Sequence, residues 1–205
     1  MSARCLLIPC TTKLKLFPIE MNPVDLRRAL VEILDQGIDL LTGIDSMHYA
    51  TKAPSAFNAS IGSHFRHCLD HFETLLAGLD AENAGLVDYD ARRRDPLVES
   101  DCTVALARAE QIRIACDRLS PAVFEREVRV RCMVSCSDAA SPTVGSTFGR
   151  EAMYAVVHAI HHFALINIMC DILNVETPKN FGIAPSTIAH EARQATLAAA
   201  AAATC

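Results

Sequence analysis

"EAMYAVVHAIHHFALINIMCDIL", residues 151 to 173, is apolar on nearly every side, yet it carries His158, His161 and His162. Its pattern predicts a long helix that starts near Ser146 or Thr147 and ends near Leu173. A helix apolar all round is either central to its domain or shared with a second subunit. Upstream, "SHFRHCLDHF", residues 63 to 72, places His64, His67 and His71 on another apolar-periodic segment. Six of the eight histidines thus fall in two short helical stretches. Which fold brings those stretches together, and what the imidazoles do there, are the questions the sequence sets.

Working outward, "NPVDLRRALVEILDQGIDLLTGI" reads as a first helix, with Asn22 as N-cap, Pro23 at the first helical position and Gly43 as its stop. Its apolar residues recur at Leu26, Leu30, Ile33, Leu34 and Leu41. The second helix runs from about Ser60 to Leu79, with Phe65, Cys68, Leu69, Phe72 and Leu75 on one face. "DCTVALARAEQIRIACDRL" is the third, capped by Ser100 or Asp101 and stopped before Pro121. "REVRVRCMVS" alternates charged and apolar residues, and a turn-rich loop follows it, which predicts a short β-hairpin before the last helix. The expected fold is all-α: a four-helix bundle with a long crossover between its second and third helices and that small hairpin. Residues 1–21 read as a non-conforming leader, so that Met21 is an alternative start. Residues 22–190 make the bundle domain and 191–205 a low-complexity, Ala-rich tail. The stretch "VETPKNFGIAPSTIAHEARQ", residues 175–194, reads as extended.

Composition narrows the function classes. With 51% apolar residues, 5% aromatics and no tryptophan, the chain has the makings of one full helical core. A formal charge of −5, mixed in sign, offers neither a basic footprint for nucleic acid nor a polybasic membrane patch. No segment is read as reaching the roughly 18–20 uncharged apolar residues that a bilayer requires. Residues 151–173 come nearest, with Glu151, Asp171 and the histidines against them. The nine cysteines lie singly and predict free thiols in a reducing cytoplasm. Cys132 and Cys136 form a CxxxC pair, a weak metal or redox signal at that spacing.

The histidines are the stronger signal. At about 100° per residue, His64, His67 and His71 stand at about 0°, 300° and 340°, one narrow stripe. His158, His161 and His162 fall at about 0°, 300° and 40°, beside Tyr154. Burying several unpaired imidazoles costs roughly 1–3 kcal/mol each, and a shared cation offsets several at once. His158 and His162, one turn apart, can reach a single ion. His67, mid-stripe, is the choice of third ligand over His64 and His71. Three neutral imidazoles leave an ion's charge uncompensated and a position open, which suits catalysis. His64 and Asp70 are candidates to orient the ligands, with His71, Tyr154 and His161 also close by. Packing histidines with satisfied hydrogen bonds remain the alternative.

The pattern resembles the DinB-like superfamily, which includes the YfiT-like metal-dependent hydrolases. "RHCLDHF" matches that family's second-helix motif at His67, and "HAIHH" matches its last-helix motif at His158 and His162, with His161 as a frequent extra histidine. The likeness spans about residues 22 to 188, and "VDYDARRRDPLVESD" and "NFGIAPST" belong to it. One departure is "HFALI", which stands where the family commonly has an HRGQ-type ending. The resemblance implies a four-helix bundle of DinB/YfiT-like type, a homodimer, and a divalent metal on His67, His158 and His162. It also implies hydrolysis or thiol S-transfer on a small molecule, in the second case with a low-molecular-weight thiol. Zinc or nickel is favoured, iron or manganese being alternatives. Arg92, Arg93 and Arg94 are candidate anion-binding residues, although pairing with Asp88, Asp90, Asp95 and Glu99 is the favoured reading of that run. A rival of another class is a non-catalytic, stress-associated bundle whose metal is structural or adventitious.

Overall fold

The computed structural model describes residues 23–137 and 140–202, so the leader, the Asn22 cap and the last three residues lie outside the described residues. Helix α1 (Pro23–Gly43) buries Leu30, Ile33, Leu34, Leu40 and Leu41, the three-and-four spacing of a single packed stripe. The following loop contains a short helix, α2 (Ser46–Ala50), and a two-residue antiparallel pair, β1 (Lys52–Ala53) with β2 (Ala59–Ser60). Helix α3 (Ile61–Ala77) starts from a reciprocal capping box. Ser63 N donates to Ser60 Oγ at 3.0 Å, and Ser60 N to Ser63 Oγ at 3.0 Å. After a short crossover helix, α4 (Pro96–Ser100), Asp101 caps α5 (Cys102–Asp117) by accepting from Thr103 N at 2.8 Å. Thr147 caps α6 (Phe148–Leu173), and Asn174 closes it in the left-handed conformation, φ 56°.

The four long helices form a ring: α1 packs on α5 and α6, and α3 packs on α6 and α5. This is the helical bundle expected from the periodicities. The histidine-bearing helices α3 and α6 are direct neighbours, so their stripes share one seam. Phe65 of α3 and Phe163 of α6 meet at 5.5 Å between ring centroids. Gly37 of α1 lies against both rings, and a Cβ there would come within 3.0 Å of Phe163 and 3.2 Å of Phe65.

The hairpin is present as β4 (Glu127–Arg131) and β5 (Thr143–Thr147), antiparallel. A third strand, β3 (Leu86–Asp88), comes from the crossover and pairs in parallel with β4. Three residues whose partner lies forty positions on leave no periodic signal of their own. This pairing matters because it ties the crossover down beside the histidine seam.

Two further differences concern the last helices. The stretch after α6 is extended only as far as Ala184; α7 (Pro185–Ala202) follows with proline at its first position, and its described residues are exposed apart from Ile188. Before it, Phe181 stacks on Phe163 at 4.8 Å, and Gly182 (φ 70°) lies so close to α6 that a Cβ would meet the Phe163 carbonyl carbon at 2.5 Å. As for α6, residues 152–170 contain no Asp, Glu, Lys or Arg, and by length and composition the helix is long and apolar enough to cross a membrane. That corrects the expectation that no segment reaches this threshold; the histidines, rather than formal charges, interrupt its apolar run. One side of α6 packs on α1 and α3, and Met153, Val157, Ile168 and Ile172 are exposed on the other.

Candidate metal centre

At the α3–α6 seam four imidazoles form two triangles with a common edge. That edge is His67–His158, with ring centroids 4.9 Å apart and the two Nε2 atoms at 2.9 Å. On one side His71 lies 4.6 Å from His67 and 4.2 Å from His158; on the other His162 lies 4.6 Å from each. The ligand atoms of His67, His71 and His158 all lie within 4.8 Å of one another, and this trio can hold a metal ion. His162 is engaged on its far side, its Nδ1 2.9 Å from Nδ1 of His64. The rings of His67, His158 and His162 are neighbours, but the ligand atoms that converge are those of His67, His158 and His71, so His71, which the sequence reading had beside the site, stands where His162 was expected as the third ligand.

All five rings sit where the charged form is disfavoured. Burial lowers the pKa of His67, His71 and His162 to about 3, with neighbouring imidazoles adding to the effect in each case and Arg92 in the first two. Burial also lowers His64 and His158, and His161 pushes both further down. Neutral imidazoles are the form that coordinates a cation. Their protons can be assigned from Arg92. Arg92 Nη1 makes a short contact with His67 Nδ1, and a guanidinium only donates, so Nδ1 accepts. A neutral His67 then carries its proton on Nε2 and donates it to His158 Nε2.

Two tyrosines wall the cluster. Tyr89, just beyond β3, stacks on His71 at 4.9 Å, and Tyr154 stacks on His158 at 5.5 Å. Tyr89 OH donates to Glu151 at 3.2 Å; Glu151 also accepts from Ser146 Oγ at 2.7 Å and Arg150 Nη1 at 2.9 Å. Glu151 is 1% exposed, so a buried carboxylate with three donors anchors the Tyr89 wall. A cavity of about 580 Å³ opens over His67, His71 and His158, bounded further by Arg92, Arg94, Cys132 and Cys136.

Other expected residues lie farther off. Asp70 is buried and pairs with Arg66 Nη1 at 3.5 Å, away from the rings; burial raises its pKa, and Arg66 partly opposes this. His161 is exposed, and its ring meets that of His162 at 5.4 Å. The arginine run does not pair with the crossover's carboxylates in the favoured way. Asp88, Asp95 and Glu99 are taken by Arg131 (3.1 Å), Arg108 (3.8 Å) and Arg66 (2.9 Å). Arg93 faces a separate groove beside Asp70 and Glu73. Cys132 and Cys136 are free thiols at the cavity wall, as are the other described cysteines elsewhere. Sequence reasoning missed Tyr89 and the part Glu151 plays as its anchor. The alternation of Val87 and Tyr89 in "VDYD" was the available signal for an inward-facing tyrosine.

No protein-family model matches the chain. Over 109 residues, 53% of its length, the chain is 33% identical to FK506-binding protein 5 of Rhizopus delemar. It spans only 28% of that protein, whose name describes FK506 binding by the relative.

Proposed function

We propose that this chain is a divalent-metal-dependent enzyme of DinB-like type that acts on a small molecule by hydrolysis or thiol S-transfer. The observation that carries the reading is the convergence of His67, His71 and His158 at the floor of a cavity. Imidazole-only ligation favours zinc or nickel, with iron or manganese next. A cation held there lowers the pKa of a coordinated water or low-molecular-weight thiol toward neutrality. The chain's own residues supply the rest. Tyr154 and Tyr89 hold His158 and His71 in place by stacking, Glu151 holds Tyr89, and Arg92 stands at the cavity wall. The second-helix and last-helix histidine motifs support the DinB-like assignment, and the exposed face of α6 supports a homodimer. A cytoplasmic setting belongs to the same proposal.

The test compares zinc- or nickel-loaded protein with chelator-treated protein on ester, amide and thiol-plus-electrophile substrates. Turnover that needs the metal and is lost in His158→Ala supports the reading. A protein that is inert in every arm, or that unfolds when the metal is removed, favours the structural bundle instead.

A further inference from the structure

We propose that Arg92 is the receptor for a small oxyanion, carboxylate or phosphate, bound between its guanidinium and a cation on the histidine cluster. This rests on the metal reading above and names the substrate class that the site would take. Arg94 also bounds the cavity but is exposed, whereas Arg92 is half-buried, with Nη1 against His67 Nδ1 and Nε buried without a hydrogen-bond partner among the described residues. A buried N–H lacking an acceptor is costly, and beside an open cavity that donor is available to an acceptor that enters it.

The Arg92–His67–His158 hydrogen-bond chain would also have to rearrange when a cation binds the trio. Coordination through His67 Nε2 needs that lone pair free, which moves the ring's proton to Nδ1, where it would face the Arg92 donor. Coordination through Nδ1 displaces the guanidinium outright. In either case metal loading turns Arg92 out of its contact and leaves a guanidinium next to a divalent ion with three neutral ligands. An oxyanion between the two compensates both charges and accepts from the freed donors. The competing internal partner is Asp90, which also lines the cavity. Its carboxylate is hydrogen-bonded by Ser141 and, at Oδ1, by Met133 N at 3.0 Å. One carboxylate against a guanidinium and a divalent ion leaves the pocket positive.

The experiment loads the full chain with Co²⁺ and titrates it with inorganic phosphate and, separately, with acetate, following the visible absorption of the cobalt. The expected result is a saturable spectral change, and the arm that saturates at the lower concentration separates phosphate from carboxylate. Arg92→Gln should weaken the anion by about tenfold to a hundredfold, the loss of charge-assisted hydrogen bonds. Arg92→Lys, which keeps the charge but not the fork, should recover part of that. A wild-type spectrum indifferent to both anions, as an Arg92–Asp90 pair would give, overturns the proposal, and so does an Arg92→Gln variant that titrates like wild type. If Co²⁺ fails to bind, or binds equally well to His67→Ala and His158→Ala, the metal reading itself fails and takes this inference with it.

Discussion

His67 Nε2 lies 2.9 Å from His158 Nε2, across the seam where α3 meets α6. One imidazole comes from each helix, so this contact exists only if the two helices pack in the observed register. It is also the edge common to both histidine triangles, which makes the flanking rings, His71 and His162, the discriminating ones.

Because the ligand atoms of His71 converge with those of His67 and His158, His71→Ala should weaken metal binding more than His162→Ala. Loss of one ligand or its support typically costs about 10- to 100-fold or more in affinity. Competition with a chromophoric chelator measures both variants. Equal affinity in His71→Ala and wild type, with loss in His162→Ala, would move the site to the other triangle.

Glu151→Ala removes the acceptor shared by Tyr89, Ser146 and Arg150. Hydrogen bonds to a buried charge are worth roughly 1.5–3 kcal/mol, and exposed Arg150 can turn to water, so a loss of about 2–3 kcal/mol in unfolding free energy is expected. Urea denaturation reads it. The same variant should loosen the Tyr89–His71 stack and weaken metal binding; an unchanged urea midpoint would remove Glu151 from the account of the site.

The bundle was legible because its signals are local. Ser60, Asp101 and Thr147 cap the helices where the polar residues stand, and the apolar spacing of α1 and α3 points to the faces they bury. The site was half legible. Helical angles place His67 and His71 only about 40° apart on their stripe, so choosing between them needs the axial register of α3 against α6, which no single-helix pattern contains. Tyr89 and Arg92 were harder still, since β3 reaches the seam through a parallel pairing with a strand forty residues later. Their neighbours Asp88 and Asp95 suggested an ion-paired loop, but Arg131 and Arg108 reach those carboxylates first.

Acid should destabilise the metal-free protein. His67, His71 and His162 have pKa values of about 3 when folded, against a reference of 6.5. Between those values the unfolded chain binds more protons than the native one, so unfolding free energy rises with pH through that window. The contribution is complete above about 6.5 and is lost progressively as pH falls toward 3. Urea midpoints at pH 7.5 and pH 5 should differ in that direction, with a smaller difference in His71→Ala. Equal midpoints at the two pH values would contradict the buried neutral cluster.

The exposed residues Met153, Val157, Ile168 and Ile172 recur on one face of α6. If that face is a self-association surface, wild type should scatter light as a dimer and Ile168→Glu as a monomer with an unchanged circular dichroism spectrum. A monomeric wild type would contradict the homodimer reading while leaving the metal centre untouched.

The central claim is that His67 and His158 jointly hold one cation without being needed for the fold. Metal content per chain, measured on untagged protein by elemental analysis, tests it most directly. The account predicts about one divalent ion per wild-type chain and a near-complete loss in both His67→Ala and His158→Ala, with helicity retained. Substoichiometric metal in wild type, or full occupancy in either variant, would contradict it.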